Sequence, residues 1–183
     1  GGNVAESIYR GVQKCLNDEF RNYQWKERHP VIPVKLISVE DEQCQYYLQA
    51  LKTMQLEPKI GLGRAVCGFP VVWVGTNKGR WHGSVGLNMT IALRSALQET
   101  LQKLQNKEER MESPSVFLEE IVPLNIPIPV CDLTRPSKIV HAAMKVLEQN
   151  HVKLHVLEIE CEPFLKEKHI HVSGVLLRKE ESR

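Results

Sequence analysis

The segment Trp81-His82-Gly83-Ser84-Val85-Gly86-Leu87-Asn88-Met89-Thr90 runs straight into IALRSALQETLQKLQNK, and this junction constrains the fold more than any other part of the chain. Leu93, Leu97, Leu101 and Leu104 recur at helical spacing, which requires an amphipathic helix with one buried seam. Gly83 and Gly86 make the approach to it a glycine-spaced loop, and Asn88 or Thr90 is suited to cap its first orphan donors. Away from the seam lie Ser95, Glu99 and Gln102, spaced i, i+4, i+7. A loop that allows close backbone approach, followed by a helix start, suits a phosphate or another anion. The same spacing also describes a capped surface helix with a solvated polar face, and spacing alone favours that simpler account.

Elsewhere the chain alternates helix and strand. Asn3 caps a first helix, with Glu6 in the reciprocal position and Val4, Ile8, Val12, Cys15 and Phe20 as its apolar stripe. His29-Pro30 and Ile32-Pro33 end it, a strand covers 34–39, and a helix covers 40–54 with Cys44, Tyr47, Leu48 and Leu51 inward. A short strand fits 58–62. The segment Gly68 to Gly75 reads as a strand buried on both faces by its continuous apolar run, followed by turn chemistry at Asn77-Lys78-Gly79. The charged tract 106–114 reads as an exposed segment. Residues 124–133 are extended and punctuated by proline, as in an edge strand. Pro136 opens a helix whose apolar face uses Ile139, Val140, Ala143, Val146 and Leu147, and strands follow at 152–160 and 169–177. The order predicts one α/β domain over 1–183, built from two pseudo-repeated helix-strand-strand units, about 34–105 and 124–178, that form a mixed-sheet sandwich.

Charge and composition exclude several function classes. The net charge is only +2, with basic and acidic residues interspersed, so no dedicated nucleic-acid surface is expected. The longest apolar runs fall far short of a membrane span, and no basic-then-apolar start resembles a signal peptide, which points to a cytoplasmic protein. The chain begins Gly-Gly without a Met and reads as a domain excised from a longer protein, where a targeting segment would be invisible. Five widely spaced cysteines (15, 44, 67, 131 and 161) without a CxxC read as small buried hydrophobes in a reducing compartment. Cys131, in PVCDLTRP, is the thiol to weigh as a nucleophile, but nothing near it in sequence supplies a base. His169 with His171, and His151 with His155, share strand faces without a carboxylate or thiol placed to complete a metal site. His82 beside Trp81 in the glycine loop is the histidine best placed to touch a ligand.

The segment GLNMTIALRSALQETLQKL resembles the glycine-turn-then-helix element of YcaO-domain proteins, and the strand Gly68-Phe69-Pro70-Val71-Val72-Trp73-Val74 is similar to a strand of that fold. Leu157-Glu158-Ile159 and the final strand match less faithfully. WHGSVGLNMTIALRSALQETL also looks like the ThiF-like thiazole-containing bacteriocin maturation proteins of bacilli. The YcaO resemblance implies ATP-dependent activation of a backbone amide oxygen, so that a Cys, Ser or Thr side chain closes an azole ring. It implies that Glu99 would ligate magnesium, that Gln102 would bond a phosphate or ribose, and that Ser84, Gly83 and Gly86 would line the same pocket beside His82 and Trp81. The arginine of the family's helix motif is replaced by Leu104, and the motifs that bring further acids have no match.

Three functions follow from that resemblance. The first is a peptide-binding or assembly domain that presents a bacteriocin precursor peptide to a partner YcaO-type cyclodehydratase and itself needs no cofactor; an extended peptide would add to a sheet edge. The second is an active heterocycle-forming enzyme using ATP and Mg at Glu99 and Gln102. The third is a structural homodimerisation domain.

Overall fold

Asn3 opens the first helix as its side chain predicts, accepting the Glu6 N–H on Oδ1 at 2.8 Å, and α1 runs Val4–Lys26. The computed structural model describes residues 3–26, 29–77, 81–105, 116–118, 120–131, 135–159 and 172–179. After α1 come β1 (Pro30–Val39), α2 (Glu42–Thr53), β2 (Pro58–Val66), β3 (Phe69–Thr76), β4 (Trp81–Val85), α3 (Met89–Gln105), β5 (Val116–Phe117), β6 (Leu124–Ile128), α4 (Pro136–Gln149), β7 (Val152–Glu158) and β8 (Ser173–Lys179). The chain divides into two compact units, residues 20–131 and residues 1–19 with 132–183.

In the unit of residues 20–131, six strands form one mixed sheet. The hairpin run β4-β3-β2-β1 is antiparallel, and β5 and β6 lie end to end along the far side of β1, both parallel to it. Helices α2 and α3 cover one face. Cys44 and Leu51 from α2, Leu93, Ala96 and Leu97 from α3, and Ile60, Val72, Val74 and Ile128 from the strands make one continuous core. On the opposite face, Trp73 has Gly61 and Gly83 as its cross-strand partners, and its indole lies in the space that the missing side chains of Gly83 and Gly63 leave. A Cβ at Gly83 would stand 2.5 Å from Phe20 Cζ and 2.9 Å from the Trp73 ring. Phe20, near the end of α1, meets that ring edge-on with centroids 5.6 Å apart.

In the other unit, β7 and β8 pair antiparallel from Val152↔Lys179 to Glu158↔Ser173. The first part of α1 packs on β8: Val175 Cγ2 occupies the place of a Cβ at Gly11, and Cys15 Sγ donates to the Val175 carbonyl at 3.3 Å. Pro136 stands in the first turn of α4, and Ala143 and Leu147 are its buried residues.

The α/β alternation, the seam of α3 and the buried strand β3 follow the sequence pattern. Two local features differ. The glycine-spaced segment before α3 is strand β4, because Gly83 is a flat partner for Trp73 and not a hinge. Pro30 and Pro33 lie inside β1; Pro33 falls where the lateral partner changes from β5 to β6, a place that tolerates a missing donor. The tract 106–114, Cys161, His169 and His171 lie outside the described residues. No helix among the described residues is long and apolar enough to cross a membrane.

Candidate functional site

Strand β4 and helix α3 carry five of the six residues that the sequence singles out, Gly86 lies in the connection between them, and the strand's alternation separates them. His82 and Ser84 pair with Val74 and Val72, so they face the α3 side of the sheet, and they are only 1% and 4% exposed. Lys103 Nζ lies 3.1 Å from His82 Nδ1. Trp81 points to the opposite face, where its ring meets that of Phe117 with centroids 4.7 Å apart and planes tilted by 41°. Gly86 donates its N–H to the Pro70 carbonyl at 3.1 Å, and a Cβ there would stand 2.3 Å from the Ala92 nitrogen. The close approach that Gly86 permits is therefore to the first turn of α3. On α3 itself Glu99 is half-buried, one turn before Lys103 on the same stripe, and Gln102 is exposed.

The N-termini of α2 and α3 hold a polar cluster that sequence reasoning did not assemble. Asp41 caps α2, its Oδ1 accepting the Cys44 N–H at 3.0 Å, while its Oδ2 takes the Arg94 guanidinium at 2.5 Å. Asp41 is 5% and Arg94 27% exposed in their side chains, and Arg94 Nε is buried without a partner. Burial by itself raises the Asp41 carboxyl; the hydrogen bonds from Arg94 and Cys44 and the Arg94 charge outweigh it and hold the group below the usual carboxylate range. Burial, with the Asp41 charge beside it, pushes the Cys44 thiol up to about 12. Cys44 is therefore a protonated donor, to the Thr90 carbonyl at 3.7 Å, and not a nucleophile.

Asn88, the expected cap of α3, accepts the Ile91 N–H on Oδ1 at 2.9 Å, and its Nδ2 donates to Cys131 Sγ at 3.3 Å. Thr90 donates to the Pro129 carbonyl at 3.0 Å. These bonds tie the start of α3 to the end of β6, and the Asp41–Arg94 pair ties it to α2. We expect Asn88→Ala to lose about 1 kcal/mol of stability, a cap and one bond to sulfur, read as a lowered urea midpoint.

The signals for this cluster were present but weak. Asp41 is a good cap one residue before Glu42, and Arg94 interrupts an otherwise apolar and small run, IALRSAL. Their meeting across 53 positions is tertiary information.

The edges of the six-stranded sheet bear on peptide binding. The residues of β4 from His82 onward are buried. On β6, the Ile128 carbonyl accepts the Glu40 N–H, so Ile128 and Ile126 turn their backbone groups to β1 while Asn125 and Pro127 turn theirs outward. Pro127 has no donor, which blunts that edge.

With these elements in place, the fold is heterocyclase-like. It is similar to the solved structure of the heterocyclase TruD, with a TM-score of 0.64 and 19% identity over 97% of this chain and 28% of that one. This chain therefore spans little more than a quarter of the TruD length. No protein-family description and no curated protein matches the sequence.

Proposed function

We propose that this chain is a peptide-binding or assembly domain of a protein that matures a thiazole- or oxazole-containing bacteriocin precursor, presenting the precursor to a separate YcaO-type cyclodehydratase. The fold shared with a heterocyclase supports a role in peptide modification. One observation favours presentation over catalysis: Trp81 lies on one face of β4, His82 and Ser84 are closed under α3 on the other, and Gln102 is on the exposed side of that helix. Phosphoryl transfer depends on positioned charge-neutralising groups, and these residues do not converge on one.

The fit to Mg-ATP points the same way. Glu99 is a single hard carboxylate with the Lys103 ammonium one turn on, and among the described residues no three of His, Cys, Asp and Glu come together. Cys15, Cys44 and Cys131 carry free thiols, which supports a cytoplasmic reading.

Calorimetric titration of Mg-ATP, with Glu99→Ala as the control, separates presentation from catalysis. Presentation predicts no heat at millimolar nucleotide, together with saturable binding of a Cys-, Ser- and Thr-rich precursor peptide. Micromolar Mg-ATP binding that Glu99→Ala abolishes would establish the active cyclodehydratase reading instead.

A further inference from the structure

We draw no further inference here: the strongest candidate, the polar cluster of Asp41, Asn88, Arg94 and Cys131 at the heads of α2 and α3, rests on helix N-termini with no second observation that points to a ligand, because the Arg94 side chain, whose Nε has no partner, is 27% exposed and already bonded to Asp41.

Discussion

Trp73→Ala is expected to lower the unfolding free energy by about 4 kcal/mol, the middle of the range for buried aromatic truncations. The indole is 4% exposed, and the two glycines against it, Gly63 and Gly83, have no side chains with which to refill the space. Phe20 loses its edge-on partner as well, so the cavity spans the sheet and the end of α1. Urea unfolding followed by far-UV circular dichroism reads the loss as a lowered midpoint at constant slope. Trp73→Phe should recover more than half of it. The reciprocal change, Gly83→Ala, overfills the same site, because the added Cβ would meet Phe20 and the indole, and is expected to cost about 1–3 kcal/mol. A loss of under about 1 kcal/mol for Trp73→Ala would mean that this face is not part of the cooperative core.

Asp41→Ala ranks second, at about 3 kcal/mol, because it removes the cap of α2 and strands the Arg94 guanidinium at once. Asp41→Asn keeps an acceptor for the Cys44 N–H and loses only the charge, so it should cost less. The acid limb of the stability profile carries the same information. The folded protein holds the Asp41 carboxyl below its usual range, so the unfolded chain binds that proton more readily. The stabilisation is therefore complete above the unfolded value of about 3.9 and drains away as pH falls through the lower folded value. Stability curves of the native chain and Asp41→Asn, run from neutral to strongly acid pH, should converge below about pH 4. Parallel curves would show that Asp41 does not carry the charge that clasps α2 to α3.

Local signals in the sequence carried much of this architecture. The leucine seam of α3, the apolar run of β3, the Asn3 and Asn88 caps and the proline at the head of α4 each act within a few residues, and each sits where its chemistry requires. The segment before α3 misled because glycine has two meanings. Gly83 permits an aromatic neighbour on the adjacent strand, and only the pairing Trp73↔Gly83 distinguishes that from a ligand loop. Pro30 and Pro33 misled for a related reason, since a missing donor is harmless wherever a strand changes partners. The Asp41–Arg94 clasp, the Asn88–Cys131 contact and the His82–Lys103 contact join residues from separate elements, and no periodicity announces them.

The place of β6 in the sheet has a kinetic consequence. The run from β1 to β4 assembles from neighbouring segments, but Leu124 must find Val34 across ninety residues (124 − 34). Closing a loop of that size is slow compared with forming hairpins, so β6 joins late. Until it arrives, the outer side of β1 is a bare parallel edge on a half-built sheet, the species most open to pairing with another chain. A growing polypeptide passes through that stage for as long as residues 124–128 have yet to be made, and the vulnerability of this fold is greatest then.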